Sequence, residues 1–219
     1  MNIKRSFFIA VQAAAICGLL AIAITAQGCG DKDYGCKIAE GNKQIAANPN
    51  IVDGYITRGD AFYNDQQYDS ALADYTKWIQ FEPKNAQAFE YRGDTYNKLK
   101  QYPKAIADYT QALALKPQNA DVHISRGNAY DDSGNFALAI LDYNEAIKED
   151  PASGVAYYNR GVAYGRQKND KQAMADYTKA IELDPNYANA YKNRALLYDK
   201  LGQKEKAAAD RAKYDELNP

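Results

Sequence analysis

His123 is the only histidine in a chain of 219 residues that carries 28 Asp and Glu, so it is the first side chain to test for chemistry. Proton transfer near neutral pH needs such a ring beside a nucleophile or a second titrating group, and a transition-metal site needs more His or Cys at ligand spacing. Neither accompanies it. The Ser and Thr residues have no histidine in register to act as a base. No Gly-rich phosphate loop is present, and the carboxylates fall on polar faces with no sign of an apolar pocket to raise a pKa. These features point away from an enzyme and toward no metal and no cofactor. A net charge of −1 and the lack of a basic stripe interleaved with aromatics argue against a nucleic-acid partner.

The elements that would position any site are set by a period. Pro49, Pro83, Pro117, Pro151, Pro185 and Pro219 follow one another every 34 residues, as do Gly59, Gly93, Gly127 and Gly161 with Ala195 in fifth place. Ala71, Ala105, Ala139, Ala173 and Ala207 keep the interval, and so do Tyr75, Tyr109, Tyr143 and Tyr177. A fixed period of this length without insertions means stacked supersecondary units. Within Ala86–Asn119, Phe89, Gly93 and Tyr96 make one stripe of a first helix capped by Asn85. Pro103 opens a second helix that buries Ala105, Ile106, Tyr109, Ala112 and Leu113 and ends before Pro117. Gly93 and Ala105 are the expected point of close approach. His123 occupies the slot of Tyr55, Phe89, Tyr157 and Tyr191, and reads as a smaller ring in an aromatic position. Arg58, Arg92, Arg126, Arg160 and Arg194 recur beside the glycine, and Asp74, Asp108, Asp142, Asp176 and Asp210 beside the tyrosine. Each Arg–Asp pair is expected to be a bridge within its own unit, worth under about 1 kcal/mol if exposed. The competing role is a row of arginines for acidic groups.

The pattern of an aromatic, Gly, aromatic, Ala, aromatic and Pro at these offsets resembles the tetratricopeptide repeat family. The resemblance implies an all-α fold, a right-handed α-solenoid of five helical hairpins with an N-terminal capping half-repeat. The expected units are residues 52–85, 86–119, 120–153, 154–187 and 188–219, preceded by a capping helix in 36–51. Arg at the position before the glycine replaces the family's leucine throughout. Gly41 is expected to weaken the capping helix by roughly 1 kcal/mol relative to alanine. The charged last helix, with Arg211 in place of the tyrosine, reads as a solubilising end and suggests a complete array at Pro219.

Residues 1–28 read as a targeting segment: Lys4 and Arg5 precede an apolar run from Phe7 to Ala26. Ala26-Gln27-Gly28-Cys29 resembles a bacterial lipobox, which would make Cys29 a lipidation site and 29–35 a tether. Cleavage after Ala26 would instead leave Cys29 and Cys36 free to form a disulfide, and an uncleaved membrane anchor is the third reading. All three place the repeats outside the cytoplasm. Losing residues 1–28 removes two positive charges and no negative one, leaving a net charge of −3.

In the family the first helices line a concave groove that holds a peptide or a helix of a protein partner. Here that face is expected to carry Asp53, Asp60, Glu90, Asp94, Asp121 and Asp131 in the first three units, with Arg166, Lys192 and Lys200 in the last two. Tyr63, Tyr91 and Tyr158 lie outside the core slots on first helices and read as exposed rings suited to an interface. The reading is a non-catalytic interaction scaffold at the cell envelope, similar to lipoproteins of this family that assist envelope assembly. It would bind a basic segment in the groove and attach to the membrane through its N-terminus. The alternative is an extracytoplasmic module for a small or carbohydrate ligand, suggested by the surplus tyrosines.

Overall fold

The computed structural model describes residues 29–218. Among them are eleven helices and no strand. They are α1 (Tyr34–Ala47), α2 (Val52–Asn64), α3 (Tyr68–Phe81), α4 (Ala86–Lys98), α5 (Tyr102–Leu115), α6 (Ala120–Asp132), α7 (Phe136–Glu149), α8 (Gly154–Arg166), α9 (Asp170–Leu183), α10 (Ala188–Lys200) and α11 (Lys204–Leu217). Every first helix of a hairpin has 13 residues and every second helix 14, so the sequence period is a structural period. The targeting segment expected at residues 1–28 lies outside the described residues.

Local signals set the ends. Asn85, Asn119 and Ser153 cap α4, α6 and α8 by accepting backbone N–H groups of the first turn. The turn inside each hairpin passes through one left-handed residue: Gln66, Lys100, Gly134, Lys168 and Gly202 have φ between 57° and 85°. Pro103 sits in the first turn of α5, where its missing N–H leaves no bond unmade.

Packing follows the period. The five alanines from Ala71 to Ala207 are fully buried, and Tyr75, Tyr109 and Tyr143 are buried nearly completely. The space beside each hairpin glycine is filled by the tyrosine ring of the second helix. A Cβ on Gly59, Gly93, Gly127 or Gly161 would stand within 3.0 Å of the ring of Tyr75, Tyr109, Tyr143 or Tyr177. In the last hairpin the ring is replaced by Arg211 and the glycine by Ala195. The chain thus changes both partners together.

The capping helix is longer at its start than expected. Gly41 is also no weakness: a Cβ there would stand 2.6 Å from Arg58 Cβ and 2.9 Å from the Gly54 carbonyl oxygen. Gly41 and Gly54 let α1 and α2 pack as closely as the two helices of a hairpin. Cys29 is bonded to Cys36 in the first turn of α1, with Cα atoms 5.6 Å apart. This pair is one of the readings of Cys29 given above.

Adjacent hairpins touch along α3–α4, α5–α6, α7–α8 and α9–α10. First helices also meet directly, α4 with α6 and α6 with α8. Like elements come closest on the inside of a curve, so the first helices line the inner face of the solenoid.

Candidate functional groove

The Arg–Asp recurrence comes first, because it decides whether the arginines are free to bind anything. Each guanidinium makes two hydrogen bonds to its aspartate, Nε to Oδ2 and Nη2 to Oδ1, at 2.7–2.9 Å in all five units. The aspartates are buried, so the expectation of an exposed, weak pair is corrected. Each pair lies within its own unit, as expected, and the guanidinium also reaches the preceding one. Nη1 of Arg58, Arg92, Arg126, Arg160 and Arg194 donates to Asn42, Thr76, Thr110, Asn144 and Thr178 on the preceding second helix, at 2.7–3.3 Å. Rings three residues before and four after flank the guanidinium; Arg160 lies 5.4 Å from Tyr157 and 6.0 Å from Tyr164. Three guanidinium nitrogens of each arginine are thus committed within the fold, which favours the structural bridge over a binding row.

His123 fills the flanking-ring slot of the third unit, as its register implied. It adds polar contacts that a phenyl ring lacks, Nδ1 to Asp142 at 3.4 Å and Nε2 to Glu149 at 3.5 Å. Burial alone would raise the Asp142 carboxyl, but hydrogen bonds from His123 and Arg126 hold it below the usual aspartate range. Among the described residues no group of three or more His, Cys, Asp or Glu is placed to hold a metal ion.

The inner face divides into two halves. In units three to five, side chains on neighbouring first helices bond to one another. Arg166 pairs with Asp131 at 2.6 Å and approaches Asp132 at 3.9 Å. Asn159 donates to Asn128, and Asn193 donates to the Tyr158 hydroxyl at 3.1 Å. Asp131, expected to face a partner, is buried beneath Arg166, and burial raises its carboxyl. Lys192 lies over the Tyr214 ring and Lys200 pairs with Asp170. The basic end anticipated from charge counting is therefore largely neutralised by its own neighbours.

In units three and four these side chains surround a cavity of about 280 Å³ whose acid, Asp131, is already paired with Arg166. A cavity of about 310 Å³ lies between α2 and α4, lined by Asp60, Tyr63, Asn64, Tyr75, Tyr91 and Asp94. It brings together four of the residues anticipated as partner-binding, Asp60, Tyr63, Tyr91 and Asp94. Reading the register alone missed Tyr75, the core tyrosine whose hydroxyl edge reaches this face. A larger hollow of about 660 Å³ at Pro117, Gln118, Glu145 and Glu149 is formed by a turn and a second helix, off the inner face. The remaining anticipated residues stand apart: Asp53 and Asp121 are exposed, and Glu90 is half-buried.

The tyrosines are not the free rings that were expected. Tyr91 packs edge-on against Tyr75 and Trp78 with centroids 5.7 and 5.8 Å apart. Tyr63 leans on Tyr68 at 5.7 Å, and Tyr158 lies between Tyr177 and Tyr187. Tyr91 reaches the preceding unit and the others pack within their own, contacts that the period alone does not reveal.

The acids at the cavity are held differently from the ladder acids. Tyr75 donates its hydroxyl to Asp60 at 2.8 Å, and Tyr109 donates to Asp94 at 2.7 Å. Burial nevertheless pushes both carboxyls above the usual range, and the hydroxyl bonds offset this only in part. Glu90 is raised by burial and then by Asp94 and Asp121, while burial and Asp94 push the Tyr63 hydroxyl up to about 12. Among the described residues no Lys or Arg stands within ion-pair distance of Asp60, Glu90 or Asp94. The position that follows the glycine runs Asp60, Asp94, Asn128, Val162 and Leu196 along the groove, from charged through amide to aliphatic.

Comparison with known proteins agrees with this architecture. Family models described as TPR repeat match residues 93–134 and 127–168. Models described as tetratricopeptide repeat match 154–187, and also 74–107 and 176–209. No curated protein matches the sequence. Among solved structures, the C-terminal part of a TPR repeat-containing protein from Cytophaga hutchinsonii is 26% identical with a TM-score of 0.71, over 85% of this chain and 75% of that one. MamA from Desulfovibrio magneticus is 20% identical with a TM-score of 0.70, over 76% and 94%. YrrB, described as a TPR protein with an unusual peptide-binding site, is 22% identical with a TM-score of 0.64, over 82% and 92%.

Proposed function

From a chain that belongs to the tetratricopeptide repeat family, we propose a non-catalytic scaffold that binds a protein partner's peptide or helix in its inner groove. The binding half is units one and two. The observation that carries this reading is the cavity between α2 and α4, whose acids Asp60 and Asp94 have no ion-pair partner, whereas the acid of the cavity in units three and four, Asp131, is already paired with Arg166. Half-buried carboxylates with no cation at ion-pair distance carry a desolvation cost that a bound cation would offset. The peptide-binding site for which YrrB is described gives the reading a parallel on the same fold.

The proposed location is outside the cytoplasm, at the cell envelope, with residues 1–28 as the targeting or anchoring segment. The Cys29–Cys36 bond supports this, because such bonds persist in oxidising compartments. Mass spectrometry of the mature chain tests it: an intact Cys29–Cys36 disulfide or a diacylglyceryl adduct on Cys29 agrees, whereas free thiols at both positions overturn it. For the groove, a photo-crosslinking residue at Tyr63 should capture a defined partner, and one at Leu141, exposed on second helix α7, should not. Equal capture at both positions, or capture at Leu141 alone, overturns the groove assignment.

A further inference from the structure

The cavity between α2 and α4 has a composition that a peptide groove in general does not require. Two carboxylates, Asp60 and Asp94, stand with the rings of Tyr63, Tyr75 and Tyr91 and the amide of Asn64 around about 310 Å³. Acids supply charge, and rings attract a cation over their faces through the negative quadrupole, an effect that grows as water is excluded. The same chain contains the control for whether those acids are structural. At the equivalent position of unit three stands Asn128, which accepts the Tyr143 hydroxyl at 2.8 Å, as Asp60 accepts Tyr75. An amide therefore performs the packing task without charge. Units one and two keep carboxylates there although burial disfavours their ionised form. Lys37 and Lys98 lower the two carboxyls only in part and neither stands within ion-pair distance, while both carboxylates line the cavity.

We propose that this cavity receives one lysine or arginine side chain of the partner segment, its charge between Asp60 and Asp94 and its alkyl stem against the tyrosine rings. The proposal rests on the groove reading above and names the chemistry of its first subsite. The row that follows the glycines then sets the direction of the bound segment. Its cationic residue lies at units one and two, and apolar residues lie toward Val162 and the exposed Leu196. With neighbouring first helices about 8–10 Å apart, three repeats span roughly 30 Å. An extended chain covers that in about nine residues.

The full chain, titrated with Nα-acetyl-lysine amide and Nα-acetyl-arginine amide and followed by NMR of the tyrosine rings, tests the inference. At least one of the two should shift Tyr63, Tyr75 and Tyr91 saturably, in a range on the order of millimolar for a lone side chain. Nα-acetyl-norleucine amide should not. Asp60→Asn with Asp94→Asn, which copies the arrangement of unit three, should fold normally and lower the cation's affinity by about tenfold or more. Unchanged affinity in that variant, no saturable shift with either cation, or norleucine binding as well as lysine would each overturn the proposal. Tetramethylammonium binding tighter than both amides would also overturn it, by assigning the cavity to a small quaternary ammonium. A partner that crosslinks at Tyr63 while both amides fail sinks this subsite and leaves the groove standing; crosslinking confined to second helices sinks the groove itself.

Discussion

Gly127 lies beneath the ring of Tyr143, so closely that a Cβ on the glycine would stand 2.6 Å from Cε1 and 2.9 Å from Cδ1. Gly127→Ala must push the ring outward or part α6 from α7. Overpacking of this kind costs about 1–3 kcal/mol. Because each unit touches only its neighbours, the loss should concentrate there. Hydrogen exchange should show lost protection mainly in residues 120–153 and the units beside them. A uniform loss across the array would mean that it opens as one block.

Arg92 holds Asp108 by two hydrogen bonds and reaches back to Thr76 at 3.3 Å. Asp108 is buried, so Arg92→Leu leaves a carboxylate without its partner, and such losses run to about 3–5 kcal/mol. Arg92→Leu with Asp108→Leu removes both charges and should cost clearly less. Denaturant unfolding of Arg92→Leu, Asp108→Leu and the double variant measures the coupling. A loss under about 1 kcal/mol for Arg92→Leu would put the pair in the class of exposed bridges.

The period was plain in the sequence because Pro, Gly, Ala and Tyr recur without one insertion, and each type has a steric reason for its place. The Arg–Asp pairing could be read from the same register. What the register could not show was everything lying between units. The third guanidinium nitrogen reaches the preceding helix, Tyr91 packs on Tyr75 and Trp78 of the unit before, and Arg166 covers Asp131 from the unit after. Each contact depends on side-chain reach across an interface that a one-dimensional repeat leaves undetermined. Gly41 misled for the same reason: its cost within an isolated helix is visible in sequence, whereas the close approach it permits toward Arg58 and Gly54 is not.

The hairpin turns give a local test. Gln66, Lys100 and Lys168 hold φ of 61°, 57° and 62°, where Gly134 and Gly202 serve the same turn in other units. A side chain in that region costs roughly 1–2 kcal/mol, which glycine avoids while gaining unfolded-state freedom. Lys100→Gly should therefore be neutral or stabilising, and Gly134→Ala should destabilise by about 1 kcal/mol. Thermal midpoints of the two variants decide it. A larger loss for Lys100→Gly than for Gly134→Ala would contradict the shared-turn account.

Acidity should separate the groove carboxylates from the ladder carboxylate at His123. Asp142 is held below its usual range, so its contribution is present above its unfolded pKa and is lost as pH falls through the folded value. Asp60 and Asp94 are raised, so their contribution is fully present below the unfolded pKa and is lost as pH rises through the folded value. Burial thus disfavours the ionised form of the two groove acids in the folded chain. Asp94→Asn keeps an acceptor for the Tyr109 hydroxyl, as Asn128 does for Tyr143, and removes the charge. The variant should match or exceed the wild-type melting temperature at pH 7, with the difference closing as the medium is acidified into the carboxylate range. Asp142→Asn should do the reverse, losing stability at pH 7 and approaching the wild type in acid. Melting curves across that range provide the check. If Asp94→Asn is instead less stable at pH 7, the carboxylate belongs to the fold, and its place in the cavity needs no ligand to explain it.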